Sequence, residues 1–444
     1  MKRIIIQNFG PISSVDLLLD KSINVIIGAQ ASGKSTLAKM VYFCRKIRDY
    51  LVGFLLDSTN FNIHPNEQYI SFLKYIRKAF MACFGTTKHL SRFDIKYFYN
   101  ENDSTFIEFS LGKENYVNVT LSNNLKQNIQ KLIGEASLIY SSLKANKNMS
   151  FLERYNEESQ LLSLYRKHFI EEANILFNDD CDIIYIPAGR SILSTFSEQL
   201  FDVNVTNMDS TMQEFIDLIR NTRSKYNSPL QEYVKNYTKT ISGQINNAEV
   251  NIAIGLIEKI LKGNYVCDKD GEKIYFSDGK WVKLMFASSG QQEALWMLML
   301  MFNYILENKR AFIVLEEPEA HLFPEAQKDI TFLIALFCNA SHSSMFITTH
   351  SPYILSSVNL LAYSFCVENC RRIPSAERVI PKQCRINPRV LSCWLINPTN
   401  AVNLKTIIDE STGLINSYEI DNASEIINSE TEKLFNLEAK YDML

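Results

Sequence analysis

The sequence predicts an α/β fold: a mixed core sheet and an antiparallel β meander, with a helical subdomain inserted between two halves. Three observations predict it. A β-branched run, Ile23-Asn24-Val25-Ile26-Ile27, enters a glycine-bearing loop and an apolar-periodic stretch leaves it. Three stretches between Phe93 and Leu121 alternate apolar and polar residues at period two. Two later apolar runs, Ala311–Leu315 and Met345–Thr349, end in acids and a histidine, at the strand ends where open α/β sheets bind ligands.

In chain order, Arg3–Asn8, Ser14–Leu19 and Ser22–Ile27 read as strands, with a turn at Phe9-Gly10-Pro11. Residues 37–57 and Asn66–Phe84 read as helices. Phe93–Tyr99, Ser104–Leu111 and Tyr116–Leu121 form the meander, with a hairpin joint at Leu111–Asn115. Asn124–Asn178 is polar and helical in rhythm, and Asp182–Ile186 is a short buried strand ending at Pro187-Ala188-Gly189-Arg190. Residues 210–262 are helical with a break near Tyr226–Pro229, and no sustained heptads point to a coiled-coil arm. Gly263–Met285 returns to strands. Ala362–Val367 reads as a further core strand, 368–393 as an irregular basic segment, Asn403–Ile408 as a strand, and Ala423–Tyr441 as a polar helix. The expected division is 1–123, 124–262 and 263–444, the first and last being halves of one nucleotide-binding domain.

Composition narrows the function. The chain has 444 residues, a net charge of −3 and nine cysteines. At about 100–200 residues per domain, two or three units are expected. Bulk charge excludes a general polyanion binder, so a nucleic-acid surface would be a local patch. No apolar run reaches membrane-spanning length. The start turns polar too soon for a signal peptide, and the cysteines form no CxxC pair, so the expectation is reduced thiols in the cytoplasm.

The chemistry centres on Gly28-Ala29-Gln30-Ala31-Ser32-Gly33-Lys34-Ser35-Thr36, which satisfies G-x-x-x-x-G-K-[ST] between a strand and a helix. Such a loop curls its N–H groups toward phosphates, and the helix adds its positive end. Lys34 is placed to bridge the outer phosphates and the Ser35 hydroxyl to bind Mg²⁺. A second block lies about 250 residues on, too far for a simple βαβ crossover. Its core strand ends in Glu316-Glu317-Pro318-Glu319, where one carboxylate can hold a metal ion and the next an attacking water. An acid-rich helix start would look the same in isolation. His350, in Thr349-His350-Ser351-Pro352, can hydrogen-bond a phosphate oxygen or the water, although an isolated histidine is more often structural. Ser288-Ser289-Gly290-Gln291-Gln292-Glu293 opens an apolar helix, either as a second anion site or as an ordinary N-cap.

As an ordered set, the phosphate loop, S-S-G-Q-Q-E, L-E-E-P-E-A-H-L-F-P and T-T-H-S-P resemble the ABC/SMC-type P-loop ATPase heads, and within them the stand-alone, OLD-like "AAA family" ATPases of bacteria. The resemblance covers 1–44, 181–191 and roughly 260–360, and more loosely 395–440. It implies Gly28–Thr36 as Walker A, Glu316 in the Walker B metal position, Glu317 as the catalytic carboxylate and His350 as the switch histidine. Ser289, Gly290 and Gln291 correspond to the signature, and Pro318–His321 to the D-loop. Two departures stand out: Glu316 replaces the usual aspartate, and Gln291 replaces a signature glycine. The implied cofactors are ATP and Mg²⁺. The implied partners are a second copy sandwiching ATP and a separately encoded effector nuclease in a phage-defence setting; the alternatives are a maintenance ATPase that grips DNA and an ATP-binding scaffold with little turnover, and no membrane partner is expected. No acidic Toprim nuclease motif follows residue 360. Arg190 lies in a strand-end arginine motif, with a phosphate or partner contact as its candidate role.

Two further features are weighed. Cys366, Cys370, Cys384 and Cys393 are a candidate zinc set, but their spacing matches no common knuckle. Arg371, Arg372, Arg378, Lys382, Arg385 and Arg389 form a basic segment that is either a nucleic-acid contact or solvated surface.

Overall fold

The computed structural model describes residues 1–102, 104–112, 116–145, 151–195, 208–240, 245–369, 377–397, 404–416 and 428–433. The first half runs β1 (Arg3–Phe9), β2 (Ile12–Leu18), β3 (Ile23–Gly28), α1 (Lys34–Leu56), α2 (Pro65–Phe84), β4 (Asp94–Asn100), β5 (Thr105–Leu111), β6 (Val117–Leu121), α3 (Asn123–Ala145), α4 (Phe151–Phe177), β7 (Asp182–Ile186) and α5 (Ser191–Thr195). It continues as α6 (Ser210–Thr222), α7 (Leu230–Thr240), α8 (Asn247–Leu261), β8 (Asn264–Asp268), β9 (Gly271–Tyr275), β10 (Trp281–Lys283), α9 (Ser289–Glu307), β11 (Ala311–Glu316), α10 (Pro324–Ala340), β12 (Ser344–Thr349), α11 (Pro352–Asn369), β13 (Leu391–Ile396) and β14 (Leu404–Thr406).

Among the described residues these strands form three sheets. The central one has the order β14-β13-β3-β12-β11-β7, and every neighbouring pair except β13 with β14 is parallel. Register places Thr349 beside Ile27, Thr348 beside Glu316 and Leu315 beside Ile186. The carboxyl ends of four strands therefore finish along one edge. The meander joins β1 and β2 in an antiparallel sheet ordered β2-β1-β4-β5-β6, and β8, β9 and β10 make the third sheet.

The central sheet separates two cores. Ile26, Ile183, Phe312, Val314 and Phe346 face α1 and the antiparallel sheet, in a core rich in aromatics such as Phe43, Phe80 and Phe109. Val25, Ile186, Ile313, Leu315 and Ile347 face the other side, packed with α8, α9, α10 and α11. Local chemistry sets the helices. His64 caps α2 and Pro65 opens it, after which Phe72, Ile76 and Phe80 repeat every fourth residue into the aromatic core. Residues Ala294–Phe302 of α9 are all buried, the pattern of a helix enclosed on every side.

The structure corrects the sequence reading at the carboxyl end. Ala362–Val367 is part of α11 and not a strand. Ser351 caps that helix, its hydroxyl accepting from Tyr353 and Ile354 backbone N–H groups, and Ile354, Leu355, Val358, Leu361 and Ala362 bury one helical face. A short apolar run does not reveal its period by itself. The core strand in this region is β13, which begins at the end of the segment read as irregular and runs beyond it, parallel to β3. Arg385, read as part of a basic surface, is buried and tied to the Ile380 carbonyl and to Glu368. Arg371 and Arg372, most of the hairpin joint at Leu111–Asn115 and most of the helix Ala423–Tyr441 lie outside the described residues.

Candidate functional site

The phosphate loop lies between β3 and α1, and its backbone turns through left-handed conformations at Ala31 and Gly33, with φ of 59° and 99°. A Cβ on Gly28 would lie 2.5 Å from the Ile396 carbonyl oxygen, so only glycine lets the loop start beside β13. Lys34 is buried, and its Nζ donates to the carbonyls of Gly28 and Ala29 at 2.9 and 2.8 Å. Burial lowers its pKa, while Glu317, Glu319 and Glu316 pull it back up. Its Nζ also lies 3.5 Å from Ser32 Oγ and 3.5 Å from His350 Nδ1. Ala29, Gln30, Ala31 and Ser35 are exposed and Thr36 half-buried.

The acids and the histidine come to the same edge. His350 Nε2 lies 3.5 Å from Glu317 Oε1, so the imidazole stands between the lysine of one motif block and the carboxylate of the other. Glu317 holds φ at 42°, a conformation that costs a non-glycine residue on the order of 1–3 kcal/mol. Its backbone is fixed by a bond from its N–H to the Thr348 carbonyl at 2.9 Å and one from Arg190 Nη2 to its own carbonyl at 3.0 Å. Its carboxylate remains partly exposed.

Glu316 is 5% exposed. Its Oε2 accepts weakly from the Ala188 N–H at 3.3 Å, and its Oε1 has no hydrogen-bond partner. The buried Tyr185 hydroxyl sits beside this carboxylate, and burial followed by the Glu316 charge holds its pKa well above the usual value. A buried carboxylate oxygen left open fits a divalent cation. With the Ser35 hydroxyl at the start of α1, the donor set suits Mg²⁺, which keeps its other positions for phosphate and water.

Four residues to which the sequence reading gave another role or none stand along this edge. Arg190 is fully buried and makes no surface contact, which removes it as a phosphate or partner ligand. Its guanidinium donates to the carbonyls of Glu293, Pro187, Glu316 and Glu317 at 2.8 to 3.0 Å. The Glu293 carboxylate accepts from the Arg190 and Ser191 N–H groups, so the first turn of α9 is bonded to the segment after β7. Glu319 Oε1 accepts from Thr349 Oγ1 and the His350 N–H at 2.8 and 2.6 Å, which aims the histidine, while its Oε2 is buried without a partner. Tyr185 is the fourth. The acids were visible in the sequence, but Glu319 meets its partner 31 residues away and Glu293 meets Arg190 103 residues away.

Ser288, Ser289 and Gly290 form the tip of α9. Ser288 and Gln291 make a capping box, and Gln291 Nε2 donates to the Leu261 carbonyl at 2.7 Å, so that side chain is engaged within the chain. Ser289 is exposed. A Cβ on Gly290 would lie 2.8 Å from the His321 carbonyl, so the helix tip packs closely on the segment that follows Glu317.

Elsewhere, no group of three or more His, Cys, Asp or Glu among the described residues is placed to hold a metal. Cys384 and Cys393 are buried, and burial pushes the Cys384 thiol up to about 12; Cys370 lies outside the described residues. No helix among the described residues is long and apolar enough to cross a membrane.

No curated protein matches the chain. Among solved structures it is similar to the SmcHead bound to the C-winged helix domain of ScpA, at 11% identity and a TM-score of 0.43, over 92% of this chain and 98% of that one. It is also similar to the SMC head domain from Thermotoga maritima, at 10% identity and a TM-score of 0.37, over 91% and 98%. Residues 1–355 match the family described as AAA ATPase domain, a span that takes in the phosphate loop, Glu316, Glu317 and His350, and the chain belongs to that family.

Proposed function

We propose that this chain hydrolyses Mg²⁺-bound ATP and works as a nucleotide-switched dimer. The observation that carries the reading is the convergence on one sheet edge: His350 is 3.5 Å from both Lys34 and Glu317, beside the unpartnered oxygen of Glu316. The loop N–H groups and the start of α1 hold the phosphates. Lys34 spends two of its three donors on loop carbonyls and has the third for the outer phosphate. Ser35 and Glu316 would hold Mg²⁺, which when bound would neutralise charge on the phosphates. Glu317 orients the attacking water and accepts its proton, and His350 reports the outer phosphate to both motif blocks. The exposed Ser289 and the adjoining Gly290 N-terminus offer a second copy's ATP an anion contact in trans. The OLD-like grouping and a phage-defence setting with a separate effector nuclease follow from the motif resemblance alone.

Lys34→Ala should abolish ATP binding by calorimetry with Mg²⁺ present; wild-type affinity would remove the loop assignment. Ser289→Arg should leave binding by the monomer intact but prevent ATP-dependent dimers in light scattering. Normal turnover in that variant would leave the monomer as the working unit.

A further inference from the structure

The chain is slightly acidic overall, with 46 Lys and Arg against 49 Asp and Glu, yet one concavity concentrates cations. It has a volume of about 390 Å³ and lies between α2, the turn that follows it and the start of β6. Lys74, Arg77 and Lys78 line it from α2 and Lys88 from the turn, and no Asp or Glu is among its described lining residues. Lys113 and Glu114, just before Tyr116, lie outside the described residues. Arg77 Nε donates to the Val117 carbonyl at 2.6 Å, which fixes the guanidinium at the sheet edge. Lys74 and Lys78 stand one turn apart on the same helix face, a like-charge pair that disfavours the helix unless an anion lies near. Tyr116 is 60% exposed and, with Met81, gives the concavity an apolar wall.

A cluster of Lys74, Arg77 and Lys78 on one helix suits phosphates, and an exposed aromatic ring beside it suits a base. A duplex hides its base faces, whereas a single strand offers both groups together. We propose that this concavity binds single-stranded nucleic acid, with backbone phosphates on Lys74, Arg77 and Lys78 and a base stacked on Tyr116. The proposal is independent of the nucleotide site, which lies at the start of α1. It also places nucleic-acid contact on the α2 face instead of the basic segment 371–389, whose Arg385 is buried.

The test is fluorescence anisotropy of the full chain with a labelled oligothymidylate of about 20 nucleotides across a salt series, a length that exceeds single-module site sizes. Lys74→Glu with Lys78→Glu should weaken binding at least about tenfold and flatten the salt slope by about 0.7 per lost phosphate contact. Tyr116→Ala should weaken it roughly five- to a hundredfold with the slope unchanged. If the reversed charges unfold the chain, Lys74→Gln with Lys78→Gln carries the same test at half the charge change. Absence of binding by the wild type at low salt, or unchanged affinity in the charge variants, overturns the proposal. So does equal affinity for a duplex together with an inert Tyr116→Ala. Competition by inorganic phosphate or a mononucleotide as effective as by unlabelled oligonucleotide would make the site a small-anion site and overturn it too.

Discussion

At the amino end of the central sheet, just before β7, Asp179 is 6% exposed and fully engaged. Lys2 Nζ and Arg45 Nε donate to its Oδ2 at 2.8 and 2.7 Å, Cys181 Sγ donates to Oδ1, and Arg48 donates to its backbone carbonyl. The Arg45 guanidinium also lies 3.7 Å from the centre of the Phe312 ring at the start of β11. The carboxyl end of the same strands also buries carboxylates but leaves them incomplete. There Glu316 and Glu319 each keep one buried carboxylate oxygen without a partner, and Ala31, Glu317 and His321 sit in left-handed backbone conformations. A buried charge whose every lone pair is met contributes to folding and has nothing left for a ligand. A buried charge left half-open destabilises the empty protein and is retained where a ligand completes it.

The most severe way to break the carboxyl end is Glu317→Gln. It should lower phosphate release by roughly 10²–10⁴-fold, the range of a general base, with ATP affinity retained. ATP should then accumulate a dimer visible in light scattering; a monomer at micromolar concentration would remove the switched-dimer mechanism. The paired ends can be compared directly through Asp179→Asn and Glu316→Gln. The first strands Arg45 and Lys2 and should cost about 3–5 kcal/mol in denaturant unfolding. The second removes a half-open carboxylate and should cost far less apo stability than the first, while abolishing the Mg²⁺ dependence of ATP binding. Equal stability losses in the two variants would erase the distinction between the ends.

A smaller effect is expected at Arg190, which joins the α9 tip to the Glu317 backbone without touching substrate. Arg190→Lys keeps the charge but cannot span four carbonyls, so turnover should fall about 10- to 100-fold, as for other outer-shell positioning groups, with ATP affinity kept. A loss of ATP affinity parallel to the loss of turnover would mark Arg190 as merely structural. The gentlest probe is pH. Burial alone would raise the Asp179 carboxyl, but Arg45 and Lys2 outweigh it and hold the group well below the usual carboxylate range. Such a group lends stability that is present above its unfolded value of 3.8 and is lost as pH falls toward the folded one. The unfolding midpoint should therefore drop as pH falls below about 4, and Asp179→Asn should flatten that dependence.

Much of the carboxyl edge was legible because its residues lie in local signals: a glycine loop between strand and helix, and acids or histidine directly after β-branched runs. Period-two alternation likewise announced the meander. Where apolar runs were short, as at Ala362–Val367, period was ambiguous, and only the Ser351 cap and packing against α10 made that stretch helical. Strand β13 was hidden because a parallel strand is recognised by its neighbour, here β3, which lies more than 300 residues earlier. The sequence by itself determined which side chains make up the phosphate loop and the acid and histidine motifs, since side-chain type and local backbone geometry are properties of short stretches. Tertiary structure alone decided which charges are satisfied: it gave Arg190 to the carbonyls of Glu316 and Glu317, gave Asp179 to Arg45 and Lys2, and left the Glu316 oxygen open, because pairing across a fold depends on distances that no local pattern encodes.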